Sequence, residues 1–126
     1  MTNGRKILII EDELDITKLL SFRLRKIGFE VLTAHDGEAG LREAREKRPD
    51  LIILDLMLPE LSGEEVCKAI RECDDEIFSQ TPIIMVTAKI GEVDRIIGKV
   101  IGANSYITKP FDIEKLVEEI HKILGV

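Results

Sequence analysis

Five side chains far apart in this 126-residue chain have the types needed to handle a phosphoryl group: Glu11, Asp12, Asp55, Thr87 and Lys109. Three carboxylates held close together repel one another, and a proton or a cation must relieve them. A hard divalent ion does so, and Mg²⁺, with Mn²⁺ as a substitute, suits a few carboxylates, a backbone carbonyl and retained water. An aspartate beside such an ion is also a nucleophile that can be aimed at phosphorus. Phosphoryl transfer then asks little of a protein beyond positioning and charge neutralisation. In that scheme Asp55 attacks, Lys109 and the ion supply positive charge, and the Thr87 hydroxyl donates to a phosphoryl oxygen. Ala88 is small enough to leave room for the group. The plain alternative is that Asp12 caps the following helix, Glu11 stands in solvent, and Asp, Thr and Lys simply end strands.

Which alternative holds depends on the elements that carry these residues. Short apolar, β-branched runs fall at residues 6–10, 30–33, 51–54, 83–86 and 105–108, with amphipathic stretches between them. The last stretch places Ile113, Leu116, Val117, Ile120, Ile123 and Leu124 on one helical stripe. Residues 14–27 carry another through Ile16, Leu19, Leu20, Leu24 and Ile27. Ser62-Gly63-Glu64-Glu65 reads as a capping box, Asp36 and Asp112 as N-caps, and Gly28 as the residue that ends the first helix. The run 51–54 is apolar throughout, as expected of a strand buried on both faces.

Five β–α units predict an α/β fold with a parallel sheet covered by helices on both sides. Right-handed crossovers then give a doubly wound, flavodoxin-like sheet of order 2-1-3-4-5. Such sheets bind ligands beyond the carboxyl ends of their strands, at the switch point between strands 1 and 3. Glu11-Asp12, Asp55, Thr87 and Lys109 each lie just past or at such an end, so this fold would gather them on one edge.

Length and composition set the frame: one domain spanning residues 1–126, with 44% hydrophobic and 33% charged residues, as in globular proteins. The net charge of −6 argues against nucleic acid or an anionic membrane as a direct partner, since both would repel it. The apolar runs are strand-sized, far short of a membrane span. Residues 1–6 lack the layout of a secretion signal, so the cytoplasm is the expected location. Cys67 and Cys73 match no metal or redox spacing and are expected to be half-buried structural thiols. His35 and His121 have no second ligand at metal-binding spacing.

The segments Ile7-Leu8-Ile9-Ile10-Glu11-Asp12-Glu13, Leu54-Asp55-Leu56-Met57-Leu58-Pro59, Val86-Thr87-Ala88-Lys89 and Tyr106-Ile107-Thr108-Lys109-Pro110-Phe111 resemble the receiver domains of two-component response regulators, the CheY-like family. The likeness runs the length of the chain, and the family's strand order supports the one given above. It implies a signalling switch rather than a metabolic enzyme, with Asp55 as phosphoacceptor and Glu11, Asp12, Asp55 and the Met57 carbonyl around Mg²⁺, Glu11 through water. It further implies that Lys109 pairs with the phosphoryl group, that the Lys109–Pro110 bond is cis, and that a sensor histidine kinase or phosphotransfer protein is the donor. Small phosphorylated metabolites are substitute donors. The donor is expected to dock on Asp15, Ile16, Leu19, Pro110 and Phe111. Thr87 then moves toward the phosphoryl oxygens and Tyr106 fills the vacated space, altering the surface of residues 93–101, the fifth strand and the last helix for an unknown downstream protein. Without the family, Tyr106 reads equally well as a strand aromatic with its hydroxyl in water.

The chain departs from the pattern in places. Gly102-Ala103-Asn104-Ser105-Tyr106 lacks the two aspartates that many DNA-binding members carry before the aromatic. The last helix has Glu114, Glu118 and Glu119 where those members use arginine, which weakens the case for their charged dimer contact. Around residues 93–101, Ile90 or Ile97 is a candidate for an exposed patch, with core packing the plainer reading. Met57 and Lys89 occupy positions that influence the lifetime of the phosphorylated form. A pseudo-receiver that binds partners without accepting phosphate is one alternative. A haloacid-dehalogenase-type phosphohydrolase is another, but it needs a second aspartate where Met57 stands.

Overall fold

The computed structural model describes residues 4–88 and 102–126. Residues 89–101, and with them Lys89, Ile90, Ile97 and the expected helix at 93–101, lie outside the described residues, as does the Thr87 side chain.

The all-apolar Leu51–Leu54 run forms β3, and all four of its residues are buried. Its neighbours are β1 (Lys6–Ile10) and β4 (Ile83–Thr87), with β2 (Glu30–Ala34) and β5 (Ser105–Thr108) at the edges. The order is β2-β1-β3-β4-β5 and every pairing is parallel, as expected. The second and fourth strands each run one residue past their predicted ends.

Because successive side chains on a strand face opposite ways, the sheet builds two cores. Leu8, Ile10, Ile52 and Leu54 pack with Val66, Cys67 and Ile70 of α3 (Gly63–Arg71) and Ala44 of α2 (Gly37–Lys47). Ile7, Ile9, Leu51 and Ile53 pack with Leu20 and Leu24 of α1 (Leu14–Ile27) and with Leu116, Val117 and Ile120 of α4 (Ile113–Leu124).

Helix ends follow the local chemistry. Ser62 and Glu65 close a capping box on α3, while Asp36 and Asp112 accept from the Ala39 and Glu114 amides. Gly28 ends α1 with φ 118°, a backbone only glycine adopts without strain. The N-cap of α1 is Glu13, not Asp12, and its side chain makes no capping hydrogen bond.

Two expectations need correction. Leu19, assigned by periodicity to the buried stripe of α1, is 58% exposed, and the small residues Thr17 and Ser21 take the buried positions instead. Cys67 is fully buried in the α3 core rather than half-buried, and only Cys73 is intermediate. Glu114 pairs with Arg23 of α1 at 2.9 Å, an ion pair within the chain.

At the opposite end of the sheet from the carboxyl edge, Arg71 joins α3 to two other segments. Its Nη1 donates to the Ser79 and Thr81 carbonyls at 2.8 Å each, its Nε to the Gly102 carbonyl at 2.9 Å, and its Nη2 to Asn104 Oδ1 at 3.1 Å. Asn104 Oδ1 in turn accepts from the Ile83 amide at 2.9 Å.

Candidate functional site

Strand register assembles the site. Ile10 stands opposite Leu54 in the β1–β3 ladder, and the Asp55 amide donates to the Ile10 carbonyl at 3.0 Å. Glu11 and Asp55 therefore leave adjacent strands side by side. Thr87 stands opposite Thr108, which sets Lys109 at the same edge. Gly63 lets α3 approach closely: a Cβ there would lie 2.2 Å from the Asp55 carbonyl oxygen.

Glu11 and Asp55 are only 3% and 4% exposed, whereas Asp12 faces solvent. One oxygen from each of these three carboxylates falls within 4.8 Å of the others, and among the described residues no other group of three or more metal-ligating side chains gathers this way. Asp55 Oδ1 accepts from the Met57 amide at 2.9 Å, and Glu11 Oε2 accepts from the Glu13 amide at 3.1 Å. Lys109 Nζ lies 2.7 Å from Glu11 Oε1, 3.1 Å from Asp55 Oδ2 and 3.1 Å from Glu13 Oε1. The Lys109–Pro110 bond is cis.

Electrostatics follow from this crowding. Burial pushes the Glu11 carboxyl from its ordinary 4.5 up to about 7, the nearby Asp55 charge adds to the rise, and the Lys109 ammonium and the Glu13 amide oppose it. For Lys109, burial alone would lower the pKa, but Glu11, Asp55 and Glu13 outweigh it and hold the ammonium charged well above its usual range. Among the described residues, four carboxylates against one ammonium leave the edge negative. Oxygen-only donors in that excess fit a hard divalent cation, which removes the repulsion that a proton on Glu11 otherwise relieves. The alternative that left Glu11 in solvent and Asp12 as a helix cap does not hold.

The structure brings together Glu11, Asp12, Asp55 and Lys109. Met57 contributes its amide to Asp55 while its side chain is 60% exposed. Tyr106 is half-buried on β5 opposite Met85 and packs against the α2–α3 core. Of the expected docking residues, Ile16, Leu19, Pro110 and Phe111 line one groove with Glu13, Ala88, Lys109 and Ile113. Asp15 is exposed and is not among the residues of that groove. The His35 ring meets the Glu11 carbonyl and the His121 ring the Val126 carbonyl, so both imidazoles serve the backbone. Sequence reasoning missed Glu13 as a third partner of Lys109 and Gly63 as the residue that admits α3. The Glu11-Asp12-Glu13 run was a signal for the first. The second left none, because glycine after a capping serine reads as ordinary helix entry.

Fold and site together define a flavodoxin-like α/β domain with an acidic, lysine-bridged pocket at its topological switch point. A family model described as the response regulator receiver domain matches residues 7–121. The chain belongs to that family, the receivers of two-component signalling. It is 44% identical over 121 residues to the alkaline phosphatase synthesis transcriptional regulatory protein PhoP of Bacillus subtilis, covering 96% of this chain and 49% of the relative. It is 42% identical over 118 residues to the sensory transduction protein RegX3 of Mycobacterium tuberculosis, covering 94% and 50%. The chain thus spans about half the length of the curated relatives it matches.

Among solved structures, a response regulator from Chloroflexus aurantiacus superposes with a TM-score of 0.89 at 33% identity, covering 98% of this chain and 99% of that one. The receiver domain of the sensor histidine kinase PA1611 from Pseudomonas aeruginosa does so at 0.86 and 32%, covering 98% and 99%, and holds a magnesium ion in its active-site cleft. Receiver domains are signalling modules rather than metabolic enzymes and bind Mg²⁺ in this acidic site. Among the described residues no helix is long and apolar enough to cross a membrane.

Proposed function

We propose that this chain is a phosphorylation-activated switch that takes a phosphoryl group from a phosphohistidine onto Asp55. The observation that carries the reading is Lys109 Nζ at 3.1 Å from Asp55 Oδ2, beside two further carboxylates. An Asp55 oxygen forms the new O–P bond as the donor's N–P bond breaks and its electron pair returns to the imidazole. Lys109, already bonded to that carboxylate, exchanges one carboxylate oxygen for a phosphoryl oxygen, so its charge is in place before reaction and little reorganisation is needed. Asp55 is oriented by the Met57 amide on one oxygen and Lys109 on the other. Glu11, Asp12, Asp55 and the Met57 carbonyl would hold Mg²⁺, or Mn²⁺ in its place, which supplies the positive charge that lets two anions approach.

By the family resemblance, Thr87 donates to a phosphoryl oxygen and Tyr106 follows it inward. The added charge, roughly −1.5 to −2, is then read out by an unidentified downstream protein on the surface that includes β5 and α4. The groove at Ile16, Leu19, Pro110 and Phe111 is where a sensor kinase or phosphotransfer protein would dock. The switch would work in the cytoplasm, as one domain over residues 1–126, catalysing only its own phosphorylation and hydrolysis.

The test is incubation with acetyl phosphate and Mg²⁺, followed by intact-mass measurement of wild type and Asp55→Asn. One added phosphoryl on the wild type alone is expected, and EDTA should abolish it. No gain on either protein would instead favour a pseudo-receiver that binds partners through the same fold.

A further inference from the structure

Glu13 breaks a local rule. It occupies the N-cap of α1, where Ser, Thr, Asp or Asn would normally accept from the helix's own free amides, yet it makes no such bond. Its carboxylate instead reaches across to Lys109 Nζ, 96 residues away in sequence, at 3.1 Å. Its backbone amide donates to Glu11 Oε2, so one residue touches both the buried carboxylate and the lysine. A local preference set aside at the rim of a site marks a residue kept for the site's sake.

We infer that Glu13 is a positioning residue that tethers the Lys109 ammonium beside Asp55, ready to receive the transferred group. This rests on the phosphoacceptor reading above. Glu11 and Asp55 also hold the lysine, but both belong to the carboxylate cluster that a cation would engage. Glu13 is not in that cluster, and its carboxylate is 60% exposed at the mouth. It is therefore the partner that can keep Lys109 in place when the other two are engaged.

The discriminating variant is Glu13→Asp. Aspartate is a preferred N-cap that can bond its own helix, and it is one methylene too short to keep the Lys109 contact unshifted. A purely structural role predicts that a better cap leaves the chemistry alone. The tether predicts that Glu13→Asp melts at or above the wild-type temperature yet is phosphorylated more slowly by acetyl phosphate. The expected loss is about twofold to fivefold in the rate at saturating donor, the scale of a partly exposed ion pair. Glu13→Gln keeps an oxygen that can accept from Lys109, and its rate should fall between wild type and Glu13→Asp. In metal-free, unphosphorylated protein, the side-chain NMR signal of Lys109 should move in Glu13→Asp and less in Glu13→Gln, a readout independent of whether Asp55 accepts phosphate.

A wild-type rate in Glu13→Asp, a loss accompanied by a lower melting temperature, a Glu13→Gln rate at or below that of Glu13→Asp, or an unmoved Lys109 signal would each overturn the tether. A wild-type chain that takes up no phosphate, with the Lys109 signal moving as expected, would bring down the phosphoacceptor reading while leaving the contact itself standing.

Discussion

Burial of Glu11 beside Asp55 ties the folding equilibrium to pH. Its carboxyl rises from the ordinary 4.5 in the unfolded chain to about 7 in the folded one. Between those values the folded state binds more protons than the unfolded state, so metal-free stability should fall as pH rises through that window. Above it the full cost of a buried, crowded carboxylate remains. Asp75 and Glu114 are held below their ordinary range, chiefly by hydrogen bonds from Arg48 and Arg23, and act in the opposite sense at more acid pH. Urea midpoints of EDTA-treated protein at pH 5 and pH 8 measure the effect, with Glu11→Gln expected to flatten the difference. Adding Mg²⁺ should stabilise the wild type more at pH 8 than at pH 5, because the ligands must be deprotonated. A wild-type slope identical to that of Glu11→Gln would refute this account of the buried carboxylate. At this scale the sequence was readable by residue type: Glu11, Asp12, Asp55 and Lys109 were named before any geometry. The sharing of Lys109 with Glu13 was not, because reach across 96 residues depends on rotamers that no local pattern encodes.

At the scale of elements, periods and caps were legible because they are local. The apolar runs of β1 and β3, the helical stripe of α4 and the capping box at Ser62 all express short-range rules. Leu19 was misread for a tertiary reason, since the groove beside Lys109 leaves that side of α1 uncovered. The start of α3 shows how an element serves the site. Ser62→Ala removes a cap and should cost about 1 kcal/mol of stability, with little change in phosphorylation by acetyl phosphate. Gly63→Ala, one residue on, forces a methyl against the Asp55 carbonyl oxygen at 2.2 Å. Backbone must move there, so a loss on the order of 1–3 kcal/mol is expected together with slower phosphorylation. Thermal melts and intact-mass time courses on the pair separate a helix start that merely needs a cap from one that sets the position of the acceptor. Equal phosphorylation in the two variants would sink the distinction.

For the molecule as a whole, five parallel β–α units and right-handed crossovers leave few arrangements, and the family resemblance selected the doubly wound order among them. What holds the far end of the sheet was not legible, because Arg71 looks in sequence like an ordinary basic residue closing a helix. In the fold its planar fork serves three carbonyls and Asn104 at once, linking α3, the turn at Phe78–Gln80 and the segment that leads into β5. Burial lowers its pKa, yet a guanidinium remains charged at any pH at which the protein folds. Lysine keeps the charge but lacks the fork, so it can satisfy only part of this set and leaves half-buried carbonyls unpaired. Arg71→Lys should therefore destabilise the chain on the order of 2 kcal/mol, read as a lower urea midpoint with an unchanged slope. Because Lys109 follows β5 directly, amide exchange should rise first at Asn104 and Ser105 and only weakly at Glu11 and Asp55, which are fixed by the β1–β3 ladder. Uniform loosening of both ends in Arg71→Lys would mean that the two edges of the sheet open as one unit rather than separately.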